Sequence, residues 1–292
     1  MIPAVLAVAY ESSLKFHGLE SLANQPRPKR GVVGGETKAD ADLHFAQAFS
    51  GSVARAQLAL LDPHGQVFMT STTLRKFLSG GELCLVDIPC GSGASSVAFL
   101  TTIVELRRAG VLPRTPLRVK VIGGEISETA RSYAESVFTY IIGDFADQAV
   151  FVEFRPTSWD VLCKISNSAL VELIVQEKLK SQVLIAITNF SSFLNIPGKK
   201  AEALPQIEEI YRYSSGLTNA AIWIEPQTNI TIKNIFPWIA AKALTWLGYA
   251  QKTGSEVMDK TEAYFFPPLT PAVLSSVRLS VMSFDLVRRA LK

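Results

Sequence analysis

The stretch Leu83-Cys84-Leu85-Val86-Asp87-Ile88-Pro89-Cys90-Gly91-Ser92-Gly93-Ala94-Ser95-Ser96 constrains the fold of this chain more than any other. An apolar run long enough for a buried strand holds one acid near its end, turns through two glycines and enters an amphipathic segment at Ala94. That is a strand, a tight loop and a helix start. Gly91 and Gly93 lack Cβ atoms, so the backbone there can take positive φ and approach a ligand, while the amides of the following helix N-terminus face the same crevice. Two readings follow from the loop: a site for a nucleoside-bearing ligand, or an ordinary turn of an open α/β sheet.

About thirty residues further on, at the spacing of a βαβ unit, Leu117-Arg118-Val119-Lys120-Val121-Ile122-Gly123-Gly124-Glu125 reads as a second strand that ends in an acid. If the two strands are neighbours, the Glu125 carboxylate stands beside the first loop and can accept hydrogen bonds from ribose hydroxyls. Taken together, these residues resemble the class I S-adenosylmethionine-dependent methyltransferases. Asp87, Gly91 and Gly93 match the family's first motif and Glu125 its second, with Pro89 standing where many members carry a further glycine. The resemblance extends over residues 81–292 and implies an α/β fold: a Rossmann-like, seven-stranded, mostly parallel sheet with helices on both faces, plus an N-terminal helical extension. It also implies S-adenosylmethionine as cofactor, held by Asp87, Pro89, Cys90, Gly91, Gly93 and Glu125.

A chain of 292 residues can form one large domain or a domain with an appendage. With 48% hydrophobic and 19% charged residues, disorder is not the default. The net charge of +3 makes no case for a nucleic-acid partner, though it leaves room for a local basic face. Cys84, Cys90 and Cys163 are an odd set without metal-ligand spacing, so they read as free thiols of a reducing compartment, and no metal site is expected. The apolar Ile2 to Ala9 has no basic region before it and no cleavage site after it, and no apolar run approaches the roughly 20 residues of a membrane span. A soluble, cytoplasmic protein is the expectation.

Residues 1–80 read as an N-terminal helical cap and residues 81–292 as the sheet domain. Val5 to Phe16 suits a helix, with Pro3 in the first turn and Gly18 past its end. Asn24 to Gly35, with Pro26, Pro28, Arg27, Lys29 and Arg30, has the composition of a basic connector. Apolar residues recur at helical spacing from Asp40 to Leu61, with Gly51 a weak point, until Asp62-Pro63 stops them. A helix over 70–78 takes hydroxyl caps from Thr70 to Thr73. Such an extension covers the carboxyl edge of the sheet or packs on its side, and pattern alone supports both.

Beyond the glycine loop a helix closes with Arg107 and Arg108 before Gly110, and another begins at Ser127. Ala149 to Phe154 reads as the third strand, Asn167 to Leu179 as a helix, Gln182 to Thr188 as a buried fourth strand and Ala220 to Ile224 as a fifth. Glu262 to Phe266 and Arg278 to Phe284 suit the closing strand pair that the family adds. Residues 233–247 suit a helix with Trp238 and Trp246 as core packing. The resemblance further implies an adenine ligand near the third strand, for which Asp160 is the match, although Asp160 equally reads as a helix cap. It places the acceptor beside the fourth strand, which makes Asn189 and Phe190 the substrate-binding candidates. Their alternative is a turn cap and a core ring.

Three functions fit these readings. The first is methyl transfer from S-adenosylmethionine to an acceptor the sequence does not name. A nicotinamide-dependent oxidoreductase is the second, because Gly91 to Ser96 matches a dinucleotide loop with serine in place of the third glycine. The third is a non-catalytic scaffold of the same fold, since His17, His44 and His64 all lie in the N-terminal region and no general base stands out.

Overall fold

A computed structural model describes residues 2–28, 37–227, 259–270 and 272–286. Seven strands form one sheet in the order β3-β2-β1-β4-β5-β7-β6. They are β1 (Gly81–Asp87), β2 (Leu117–Glu125), β3 (Val150–Ser158), β4 (Gln182–Thr188), β5 (Ala220–Pro226), β6 (Asp259–Phe265) and β7 (Ser275–Asp285). All pairings are parallel except those of β7, which runs antiparallel between β5 and β6. The expected seven-stranded, mostly parallel sheet is therefore present. Sequence order reverses between β1 and β4, which lie side by side, and open α/β sheets bind ligands outside the carboxyl ends of the strands at such a switch.

Because side chains alternate along a strand, the continuous apolar runs of the inner strands bury both faces of the sheet. Leu83 and Leu85 of β1 join Leu184 and Ala186 of β4 in one core, and Cys84 and Val86 join Val183 and Ile185 in the other. Helices α1 (Ala4–Phe16), α3 (Lys38–Leu61), α4 (Phe68–Leu78), α5 (Ala94–Arg108) and α6 (Glu128–Ile142) pack into the first core. The second receives α7 (Lys164–Lys178) and α9 (Lys199–Ser214). Two single-turn helices, α2 (Glu20–Ala23) and α8 (Ser191–Leu194), are also present.

The N-terminal helices are tied firmly to that first face. Tyr10 of α1 stacks on Phe49 of α3 at 4.8 Å, and its hydroxyl donates to the Phe45 and Ala46 carbonyls at 3.0 and 2.7 Å. Phe45 in turn stacks on Tyr133 of α6 at 4.7 Å. Helix α3 starts at Thr37, whose hydroxyl accepts the Asp40 amide at 3.2 Å, and it runs through Gly51 unbroken. It stops at Asp62, where φ is 45° and the carboxylate accepts the Gln66 and Val67 amides at 2.8 and 3.1 Å.

Several boundaries differ from the sequence expectation. The hydroxyls of residues 70–73 do not cap α4, which begins at Phe68 without a side-chain cap; Ser71 instead donates to the Leu60 carbonyl at 2.6 Å and binds α4 to α3. Ala149 lies in the left-handed region at φ 55°, so β3 starts one residue later, and it continues past Phe154 to pair Ser158 with Glu125. β5 likewise continues to Pro226, placing Glu225 inside the strand. The readings of 29–35 and of the 233–247 helix with Trp238 and Trp246 lie outside the described residues.

Candidate functional site

At the carboxyl end of β1, Asp87 is fully buried and carries the junction between strand and helix. Ser95 donates to both of its oxygens at 2.9 Å, and Ser96 donates to Oδ2 at 2.6 Å. Burial outweighs these bonds and pushes the Asp87 carboxyl up to about 6. Ser95 also lies 3.4 Å from the Thr188 hydroxyl at the end of β4, so one serine joins β1, α5 and β4.

The loop between Asp87 and α5 is closed on itself. The Cys90 amide donates to the Gly124 carbonyl at 2.9 Å, and the Gly93 amide donates to the Cys90 carbonyl at 2.8 Å. Both glycines have positive φ, 52° at Gly91 and 77° at Gly93, yet their surroundings differ. A Cβ at Gly93 stands 3.3 Å from the side chains of Ala134 and Phe138 on α6, so this glycine serves packing. At Gly91 a Cβ meets nothing within 4 Å. Gly91 is the open point of the loop. Pro89, which follows a cis peptide bond, is half-buried, and the Cys90 thiol is buried, so that desolvation first, and then the charges of Asp87 and Glu125, raise its pKa.

Glu125 comes to the loop as the strand spacing predicts. Its Oε2 accepts the Gly91 amide at 3.2 Å and its Oε1 accepts the Ser127 amide at 2.9 Å, joining the glycine loop to the start of α6. Arg131 donates to the Glu125 and Ile126 carbonyls and sits close enough to favour the charged carboxylate, although burial is the larger effect and raises its pKa. Each carboxylate oxygen keeps a lone pair for a further donor. Ile126, which sequence reasoning passed over, follows the acid as an exposed apolar side chain. Asp160 arrives from the end of β3, where the Trp159 amide donates to the Glu125 carbonyl at 3.2 Å; its own carboxylate accepts the Leu162 amide at 2.8 Å at the entry to α7. That bond closes a turn ahead of α7, whose N-cap is Cys163 without a side-chain cap, so Asp160 is not the helix cap that the alternative expected, and its second oxygen is left for another donor.

Past β4 the two substrate candidates part. Phe190 is buried in the second core and stacks on Phe193 at 5.2 Å, as the core alternative has it. Asn189 does not cap the next turn: its φ is 55°, its amide donates to the Ile224 carbonyl at 3.0 Å and its side-chain Nδ2 donates to Ser52 on α3 at 3.3 Å. Glu225 fixes this loop from β5. Its carboxylate accepts the Phe190 and Ser191 amides at 2.7 and 3.0 Å, the Ser191 hydroxyl at 2.8 Å and the Trp223 indole at 2.7 Å. Sequence reasoning ended the fifth strand at Ile224, one residue short of Glu225, whose four donors come together only in the fold.

Asp87, Gly91, Glu125, Asp160 and Asn189 thus share the carboxyl edge around the switch between β1 and β4. Two shallow concavities of about 340 and 380 Å³ lie instead at the amino ends of the strands, lined by residues such as Gly80 and Thr115 or Glu82 and Lys120. Among the described residues no group of three or more His, Cys, Asp or Glu is placed to hold a metal ion, and no helix is long and apolar enough to cross a membrane.

Neither a family model nor a curated protein matches this sequence. Solved structures do match, all at low identity. One is a protein of Listeria monocytogenes provisionally described as a class I S-adenosylmethionine-dependent methyltransferase, at 12% identity and a TM-score of 0.35 over 97% of this chain and 87% of that one. Another is the glycopeptide N-methyltransferase MtfA complexed with sinefungin, at 10% identity and a TM-score of 0.27 over 72% of this chain and 69% of that one. A third is a protein of Pyrococcus horikoshii OT3, at 10% identity and a TM-score of 0.31 over 79% and 96%. At such TM-scores these likenesses carry no argument about the site.

Proposed function

We propose that this protein is an S-adenosylmethionine-dependent methyltransferase whose cofactor lies across Gly91 and Glu125. The observation that carries the reading is the pairing of an open, positive-φ glycine with a buried acid on the next strand, joined by the 3.2 Å bond at the topological switch. The residues fit the group: Gly91 leaves space for close approach, Glu125 retains lone pairs for ribose hydroxyls, and Ile126 offers an apolar surface beside them. When bound, the cofactor supplies an electrophilic methyl group. The chain's part is to position an acceptor and exclude water, which requires no covalent participation by the protein.

The dinucleotide alternative is less well supported. In that fingerprint the third glycine serves close packing of helix on strand, whereas here Ser96 uses its hydroxyl on Asp87, and the antiparallel β7 between β5 and β6 departs from the 3-2-1-4-5-6 order of dinucleotide sheets. The acceptor side is proposed to lie between Asn189 and the N-terminal extension, which reaches the carboxyl edge through Ser52. Residues 1–80 then act as a cap in role while sharing the core of the sheet.

Calorimetry against S-adenosylmethionine, S-adenosylhomocysteine and the nicotinamide dinucleotides tests the reading, and binding of a dinucleotide alone overturns it. Glu125→Ala is expected to weaken nucleoside binding by roughly ten- to hundredfold through loss of a charged acceptor. The milder Glu125→Gln separates that loss from a collapse of the loop, because its carbonyl still serves one of the two amides held by Glu125.

A further inference from the structure

We propose that Arg55, together with Ser52 and Asn189, is a receptor for an oxyanion, a carboxylate or phosphate group carried by the methyl acceptor. The inference that this anion belongs to the acceptor rests on the methyl-transfer reading; the receptor itself rests on the following geometry.

Ser52 and Arg55 stand one turn apart on α3, and the Ser52 hydroxyl accepts from two sides: from Arg55 Nη2 at 3.0 Å and from Asn189 Nδ2 at 3.3 Å. This places a guanidinium from the N-terminal extension at the end of β4. Thr188, the residue before Asn189, is 3.4 Å from Ser95 in the first turn after the glycine loop, so the receptor is close to the proposed cofactor site. The cluster carries unsatisfied polar atoms on both partners. Arg55 Nε and Asn189 Oδ1 are buried without a hydrogen-bond partner, and Arg55 has no salt bridge among the described residues.

A guanidinium N–H buried without a partner, as Arg55 Nε is among the described residues, is costly unless something compensates it. The carboxylate that attracts it, Glu225, is already committed to four donors, and the other charge acting on it, Arg27, repels it. His44 adds no charge: burial and Arg55 hold its imidazole at a pKa of about 4, hence neutral at ordinary pH. The planar guanidinium suits two parallel N–H bonds to a carboxylate or phosphate. With the Asn189 amide oriented to donate to Ser52, its free Oδ1 accepts from an N–H or O–H of the same acceptor. Asn189 holds a left-handed φ of 55°, a backbone strain often found where a side chain is aimed for binding.

The test uses acetate and inorganic phosphate as probes, titrated into the full-length protein at constant ionic strength with chloride as reference, and read by calorimetry and by thermal shift. Wild type is expected to saturate with at least one of the two. Arg55→Gln should bind that anion about tenfold or more weakly, whereas Arg114→Gln, an exposed arginine at the other end of the sheet, should bind it as wild type does. Preference for acetate assigns a carboxylate-bearing acceptor, and preference for phosphate a phosphorylated one. Equal affinity in wild type and Arg55→Gln, or no binding of either anion beyond chloride, overturns the proposal. Should Arg55→Gln fail to fold by circular dichroism, Arg55→Lys replaces it, with weaker binding expected because an ammonium lacks the fork; unchanged affinity then overturns the proposal. S-adenosylhomocysteine is titrated in parallel. If it does not bind wild type, the methyl-transfer reading fails, while the receptor still stands or falls by its own titration.

Discussion

Gly91 and Gly93 belong to one motif and do different work. An alanine at either position is held at positive φ, which costs about 1–2 kcal/mol. At Gly93 the new methyl also presses on Ala134 and Phe138 at 3.3 Å, whereas at Gly91 it enters open space. Gly93→Ala is therefore expected to lose more stability in urea unfolding, and Gly91→Ala to lose more affinity for S-adenosylhomocysteine at a smaller cost in stability. If Gly91→Ala binds as wild type does, the loop does not approach the cofactor there. Both glycines and Glu125 could be read from the sequence because the βαβ unit is local and its turn chemistry dictates residue type. Arg55 and Ser52 could not, since they read as ordinary helical positions, and Ser52 meets Asn189 across 137 residues only after the chain has folded.

At the scale of elements, Asp87 is the joint between β1 and α5. Its carboxyl is fully buried, and its pKa rises from 3.8 to about 6 on folding. The folded state holds this proton more tightly, so the resulting stabilisation is complete below pH 3.8 and is lost as pH rises through about 6. The change amounts to about 3 kcal/mol between those limits. Asp87→Asn is neutral throughout and should lack this component. Relative to wild type the variant is expected to gain stability by about 2–3 kcal/mol between pH 4 and pH 7, measured by urea unfolding across that range. A difference between the two proteins that does not vary with pH would mean that the carboxylate is solvated or paired in the native state. The strand and helix here were evident from the apolar run and the glycines. Their neighbours were less so: the extent of β3 beyond Phe154 depends on pairing with β2, and the hydroxyls of residues 70–73 look like caps until Ser71 is seen bound to Leu60.

For the molecule as a whole, the sequence pattern reads residues 1–80 as a cap distinct from the sheet domain, whereas the packing joins the two in one core. Leu6, Tyr10 and Leu14 of α1 are almost fully buried, and they belong to the same apolar core as Leu85 of β1 and Val97 of α5. Burying each such side chain contributes about 1.5–3 kcal/mol, so the three together supply on the order of 6 kcal/mol. That is comparable with the whole stability of many domains, about 5–15 kcal/mol. A cap that only selects the acceptor could be removed with the cofactor site intact. Removal of residues 1–35 is instead expected to unfold the protein or leave it partly folded, with S-adenosylhomocysteine binding lost along with near-UV circular dichroism. Substituting Arg55 on α3, by contrast, leaves that core in place and is expected to spare cofactor binding. A truncated protein that unfolds cooperatively and still binds S-adenosylhomocysteine would show that α1 is an appendage after all, and that the aromatic contacts of Tyr10 with Phe45 and Phe49 add little to the fold.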